Sequence, residues 1–280
     1  MELTFASSAT VAAPEALLMR GGRWRWLNLR VRYGVLRHKS GVWLIDTGIG
    51  PLAVPERGLA LPAPAPWPGR GLALRAYAAA LRYRLDAEQA PQAVLARMGL
   101  TAADVTGIII THFHADHVAR LAEFPNARLF AHGPSLASVR AASNRTNLRH
   151  GIFAALLPAG IEDRLTCITS LPQRALPYAA GTGADLFDCG TCLAVMLPGH
   201  ATGHFGLAFP DLSQPLLYAC DTQWLLAALP PGQQPGLPAR LILDDASAAA
   251  RSTALVHRWQ SLGGEVVLCH DPARSHHDLA

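Results

Sequence analysis

Lysine is almost absent from this chain. Lys39 is the only one in 280 residues, so nearly all the basic charge is carried by arginine. The formal net charge is only +4, and no run of five or six like charges occurs. Nucleic acid is therefore not favoured as a partner, although scattered arginines could line a mouth for an acidic substrate. No apolar run approaches the length needed to span a bilayer, and Met1 to Ala13 lacks the basic n-region and continuous apolar h-region of a secretory signal. A soluble cytoplasmic protein, with no membrane partner, is the expectation. The five cysteines, Cys167, Cys189, Cys192, Cys220 and Cys269, are odd in number, which argues against a disulfide framework. Cys189-Gly190-Thr191-Cys192 has no second Cys-x-x-Cys pair to complete a zinc site and reads as a tight turn between strands.

Against these absences stands one dense stretch. Gly107-Ile108-Ile109-Ile110 is a short, β-branched apolar run that reads as a buried strand, and Thr111-His112-Phe113-His114-Ala115-Asp116-His117 follows it directly. Three of the twelve histidines thus fall in one window at a strand end. His112 and His114 are two apart, so in an extended segment their rings can leave the backbone on one side and grip one cation; Asp116 and His117 come a step later and are free to reach a second.

With 50% hydrophobic residues the chain can bury a substantial core. Val31–Arg37 and Val42–Asp46 read as strands joined through Lys39-Ser40-Gly41. Pro51 to Gly71 is rich in proline and glycine and reads as a long surface excursion; Leu72–Leu85 and Pro91–Met98 read as helices, the second ended by Gly99. Val118–Glu123 is expected as a short helix, and Arg128–Ala131, Ile161–Ser170, Cys192–Pro198, His204–Phe209 and Leu216–Asp221 as strands. Leu229–Pro238 reads as a loop, Ala246–Leu262 as a helix stopped by Gly263-Gly264, and Glu265–Cys269 as a strand presenting His270. Cys220 and Cys269 each precede a candidate ligand, where strand alternation points them to the opposite face and into the core. His132 and His150 are read as hydrogen-bonded structural histidines, and His276 and His277 as part of a mobile tail.

The stretch from Thr111 to His117 resembles the His-x-His-x-Asp-His signature of the metallo-β-lactamase superfamily. Further landmarks of that family follow in order: Asp46 in Leu44-Ile45-Asp46-Thr47-Gly48, His200 in Pro198-Gly199-His200-Ala201-Thr202-Gly203-His204, Asp221 after Tyr218-Ala219-Cys220, and His270 in Leu268-Cys269-His270-Asp271. The resemblance implies an α/β (α+β) fold, the four-layer αβ/βα sandwich, as one domain over 1–280 with a loop and helical insertion at about 51–98. That insertion is where a member of such a family could build a lid or a dimer surface, or simply a packing helix. It implies one metal held by His112, His114 and His200, a second by Asp116, His117 and His270, and Asp221 bridging them. Asp46 would stand behind the ligands, steadying a histidine or the backbone. Two divalent ions are implied, with zinc suited to five imidazoles and two carboxylates and iron or manganese left open.

The implied chemistry is hydrolysis by hydroxide generated on the metals, with Asp116 and Asp221 as catalytic carboxylates and a small ester, lactone or thioester as substrate. The antibiotic-hydrolysing branch of the family lacks a carboxylate at the bridging place. Asp221 therefore points towards lactonases, glyoxalase II-like thioesterases and phosphodiesterases. Pro198 to His204 with Asp221, and Phe124-Pro125-Asn126-Ala127, look most like the acyl-homoserine lactonases. A non-hydrolytic diiron member would need a flavin partner domain, for which the chain has no room and no Gly-x-Gly-x-x-Gly. One position departs from the lactonases. They carry a tyrosine three residues after the bridging aspartate; this chain has Trp224, expected in the substrate pocket, whose indole N–H lies elsewhere than a phenol would. Either the metals alone stabilise the oxyanion or the substrate differs. The oligomeric state is left open.

Overall fold

A computed structural model describes residues 1–51, 77, 79, 81–236 and 239–279. The thirteen strands described form two sheets. The first runs in the order β4 (Arg84–Leu85), β1 (Glu2–Pro14), β2 (Trp26–His38), β3 (Gly41–Ile45), β5 (Val105–Ile109), β6 (Arg128–Ala131), β7 (Leu165–Cys167). The second runs β13 (Glu265–Leu268), β12 (Leu216–Cys220), β11 (Phe205–Phe209), β10 (Leu193–Met196), β9 (Thr182–Asp185), β8 (Gln173–Ala175).

Strand alternation explains why the sheets stack and why helices cover them. On β12, Leu216 and Tyr218 face the first sheet, packing with Phe5, Leu36, Trp43, Ile45 and Ile109; Leu217 and Ala219 face outward against Val256 and Trp259 of the helix Ala246–Ser261. On β5, Ile109 joins the core between the sheets, while Ile108 and Ile110 face the opposite way with Val94, Leu95, Val118 and Leu136, all helical. Each sheet therefore has two apolar faces, one met by the other sheet and one by helices, and the expected αβ/βα layering results. Gly263 takes φ +94° to end the long helix, and at Gly264 a Cβ would stand 2.2 Å from the buried Trp259 indole nitrogen. Glycine is required there for two different reasons.

Several sequence expectations need correction. Residues 52–76, 78 and 80 lie outside the described residues, so the Pro51–Gly71 excursion is untouched beyond Pro51; the Leu72–Leu85 helix ends at Leu81, and Arg84–Leu85 pair with β1 instead. The helix after the histidine cluster begins at Ala115 rather than Val118, so Asp116 and His117 sit on its first turn; a 3₁₀ turn covers Leu121–Glu123. Ile161–Ser170 is mostly two 3₁₀ turns around the short β7, for it contains Glu162, Asp163 and Arg164, which no sheet face buries. Strand β1 was not read at all: beyond Leu3 and Phe5 its buried residues are Ala6, Ser8 and Ala9, too small and too polar to carry the apolar alternation further.

The carboxyl-terminal tail is docked, not mobile. Phe5 donates its N–H to the His277 carbonyl and accepts from Leu279 N–H, and Asp278 forms an ion pair with Arg32 of β2 at 2.8 Å. The Arg32 guanidinium uses all five N–H groups, two on Asp278 and three on the carbonyls of Leu268, Asp271 and Ala273. Both side chains are at least 96% buried, so losing one partner would leave an uncompensated charge. Asp278→Ala is expected to lower stability by about 3–5 kcal/mol in urea unfolding; a loss under about 1 kcal/mol would show that water replaces the carboxylate. Burial alone would raise the Asp278 pKa, but the Arg32 hydrogen bonds and charge outweigh it and hold the carboxyl below its usual range. This stabilisation is present above the unfolded carboxyl pKa of about 3.9 and is lost as pH falls through the lower native value.

Candidate metal centre

Strands β3 and β5 are parallel, so their carboxyl ends coincide: Ile45 pairs with Ile109, and Asp46 N–H donates to the Ile109 carbonyl at 2.8 Å. Strands β12 and β13 are also parallel and deliver Asp221 and His270 to one end of the second sheet. The β10–β11 connection adds His200. Five chain segments thereby converge at one end of the sandwich.

The seven expected residues come together there. One donor atom from each of His112, His114, His200 and Asp221 lies within 4.8 Å of the others, and the same holds for His117, Asp221 and His270. Asp221 Oδ2 stands 3.8 Å from His112 Nε2, 3.4 Å from His117 Nε2, 3.4 Å from His200 Nε2 and 3.2 Å from His270 Nε2. Asp116 Oδ2 lies 3.3 Å from His270 Nε2 and 3.6 Å from His117 Nε2. Two donors on one tetrahedral cation with bonds of 2.0–2.2 Å are about 3.3–3.6 Å apart, close to most of these separations.

The supporting hydrogen bonds orient the rings. Asp46 accepts from Thr111 N–H and from Thr111 Oγ1, each at 2.8 Å, and from His117 Nδ1 at 2.9 Å, which turns His117 Nε2 inward. His270 Nδ1 donates to the Arg30 carbonyl at 2.7 Å, with the same effect. The inward Nε2 atoms of His112 and His117 are buried yet have no hydrogen-bond partner among the described residues. A buried imidazole nitrogen without a partner costs stability unless a proton or a cation meets it, so the residues present fit a cation. Asp46 (φ 58°) and Cys220 (φ 49°) are non-glycine residues in the left-handed region, a strain of about 1–3 kcal/mol each.

Electrostatics separate the two groups. Burial and neighbouring imidazoles push His112 well below its usual pKa, and burial takes His114 down to about 4 and His200 well below, so these rings are neutral donors. Burial also disfavours charge on His117 and His270, but Asp116 and Asp221 at the first, and Cys269 with Asp221 and Asp116 at the second, prevail and raise both well above the usual value. The second group draws positive charge even before a metal arrives.

Some roles were not legible in the sequence. His204, quoted only as part of a motif, donates from Nδ1 to the Leu197 carbonyl and accepts the Asp221 N–H at Nε2, so it positions the Asp221 backbone. Cys220 does not face away from the site: the left-handed turn breaks alternation, and its sulfur lies 3.2 Å from Thr111 Oγ1. Cys269 likewise lies with His117, Asp221 and His270 rather than opposite them. His132 bonds Ser135, as a structural histidine would. His150 stands 2.8 Å from Asp244 but also lines the cavity. Cys189 and Cys192 flank a turn and are free thiols.

A cavity of about 480 Å³ opens onto the cluster, with His114, Asp116, His200, Asp221 and His270 at its floor. Trp224 is in its wall, its ring edge-on to His200 at 6.5 Å between centroids. Tyr77, within the helical reading of Leu72–Leu85, also reaches the wall, where burial raises its phenol pKa.

Two sheets back to back between helices, with imidazoles and carboxylates gathered at one end, define a four-layer αβ/βα protein with a metal-type centre. The chain belongs to the metallo-β-lactamase superfamily, whose family model matches residues 29–225. It is similar to the N-acyl homoserine lactonase AttM of Azorhizobium caulinodans, 26% identical over 185 residues; the match spans 62% of this chain and 61% of that protein's length. Among solved structures it is similar to a B. thuringiensis AiiA variant with N-decanoyl-L-homoserine bound at the active site (TM-score 0.66, 17% identity, 96% of this chain and 93% of that one). It is also similar to AidC, a dizinc quorum-quenching lactonase (TM-score 0.65, 16% identity, 96% and 87%).

Because Asp46 sets the His117 tautomer, Asp46→Asn is expected to weaken metal binding by about 10–100-fold in chelator competition with the fold retained. Unchanged affinity would mean that packing alone orients His117.

Proposed function

We propose that this protein is a dinuclear metal-dependent hydrolase that opens an ester or lactone bond in a small molecule carrying an apolar portion. His112, His114 and His200 would hold one ion and Asp116, His117 and His270 the other, with Asp221 within reach of both groups. The single observation that carries this reading is the Asp221 carboxylate within 3.8 Å of four buried imidazole nitrogens that belong to both groups. Imidazole and carboxylate donors favour zinc. When bound, such ions acidify water and polarise a carbonyl oxygen. Asp116 reaches the cavity and is the carboxylate placed to take a proton from attacking water and return it to the leaving alkoxide. The five free cysteines suit a reducing compartment, so we place the protein in the cytoplasm; among the described residues no helix is long and apolar enough to cross a membrane.

The cavity wall supports an acyl substrate over a phosphodiester. Val11, Leu18, Leu29, Leu81 and Ile242 line it beside Trp224, which also packs against Leu18 and Leu225. The AttM relative is an N-acyl homoserine lactonase and the AiiA variant binds N-decanoyl-L-homoserine, which agrees with a lactone or ester. The test is a hydrolysis panel of lactones, thioesters and phosphodiesters with the zinc-loaded and chelator-stripped protein. Turnover of lactones or esters that is lost on stripping is expected; preferential turnover of phosphodiesters would sink the reading.

Trp224 sharpens the substrate. It offers no hydroxyl to a developing oxyanion, and loss of one such donor typically lowers rate by about 100 to 1,000-fold, so short acyl-homoserine lactones are expected to be poor substrates. Trp224→Ala should raise KM for bulky apolar esters by roughly tenfold, the equivalent of about 1.5 kcal/mol of apolar contact, and Trp224→Tyr should raise lactone turnover or leave it unchanged. Efficient opening of short lactones by the wild type, with preference unmoved in both variants, would reduce Trp224 to packing.

A further inference from the structure

At the end of β13 remote from His270 lies a second set of metal-type donors. Glu265 opens the strand and His270 follows its close, five residues and about 17 Å along extended chain. Around Glu265 the docked tail places His276 and His277. His276 Nδ1 stands 3.3 Å from Glu265 Oε1, and His277 Nε2 stands 3.4 Å from Glu265 Oε2. The two rings lie side by side with centroids 3.9 Å apart, and one donor atom from each of the three residues lies within 4.8 Å of the others. Both carboxylate separations match those between ligand atoms sharing one tetrahedral cation, about 3.3–3.6 Å.

The backbone holds these donors in place without help from their side chains. Glu265 N–H donates to the Pro215 carbonyl, and its own carbonyl accepts from Trp259 Nε1. The His277 carbonyl is bonded to Phe5, its N–H to Ser275 Oγ, and the next residue is Asp278, locked to Arg32. The donors are thus presented on a frame that a metal would not have to organise. The carboxylate itself is only partly satisfied: Oε1 accepts from Ser275 Oγ at 3.3 Å, whereas Oε2 is buried with no hydrogen-bond partner among the described residues. Simple ion pairing would require two imidazolium rings in contact, which repel. A single divalent cation would take one nitrogen from each ring and one carboxylate oxygen. The His276 side chain is 67% exposed, so a remaining coordination position would open to solvent.

We propose that Glu265, His276 and His277 form an additional zinc-class site, separate from the hydrolytic centre, that clasps the carboxyl-terminal tail to the start of β13. The test is zinc uptake by the full chain, dialysed against zinc buffered at about 1 μM free ion, a concentration that selects micromolar or tighter sites. Wild type, His276→Ala and Glu265→Gln are compared; the exposed His276 makes its replacement safe for folding. The expected result is one zinc equivalent fewer in each variant than in the wild type, with hydrolytic turnover unchanged. The comparison is a difference, so it stands whatever number of ions the hydrolytic centre takes up and whatever that centre hydrolyses. Equal uptake by all three proteins would overturn the site. So would a lost equivalent accompanied by lost turnover, because the ion removed would then belong to the hydrolytic centre.

Discussion

A single buried carboxylate shared by four imidazoles is the constraint on which the site depends. Asp221 sits between His112 and His200 on one side and His117 and His270 on the other, at 3.2–3.8 Å from each. Such a carboxylate is tolerable in an apolar interior only if positive charge meets it, from protons or from metal. The imidazoles come from three separate segments, so the demand can be met only when both sheets are assembled. The centre is in this sense a product of the sheet-to-sheet core: Cys220, one residue before Asp221, packs with Ile109, three residues before His112.

The fold meets that demand with parallel strand pairs. Side-by-side carboxyl ends place Asp46 next to Thr111 and His117, and Asp221 next to His270. At the centre, strain falls where a strand must turn abruptly into the site, at Asp46 and Cys220. Each is buried and held by several contacts, which is the condition for such strain to persist.

The end of β13 beside His270 shows how the tail is tied to the same frame. Arg32 lies on β2 in the first sheet, yet its guanidinium binds the carbonyls of Leu268, Asp271 and Ala273 and the Asp278 carboxylate. One side chain therefore links the first sheet, the segment bearing His270 and the carboxyl terminus. A tail so fixed can carry chemistry that a mobile one could not.

Much of this protein was legible in local sequence. An apolar strand followed by His112, His114, Asp116 and His117 announces a metal platform because strand direction and residue chemistry are local properties, and β10 to β13 were read from apolar runs for the same reason. The ligand set as a whole was legible only through motifs in family order. Other features depended on tertiary placement. Alternation put Cys220 on the far face, and a left-handed φ next to the bulge in β12 brought it under the ligands. The polar tail Ser275–Asp278 has no periodicity to reveal its docking, since its anchor is an arginine 246 residues away in sequence. His204, His150 and Tyr77 carry no local signal of their relation to the site, because which buried polar group meets which is decided by packing between distant segments. The sequence by itself determined the donors and the strands that end in them; only the tertiary structure decided which donors share a cation-sized space, because hydrogen-bond and ligand distances are set across the sheet interface and not along the chain.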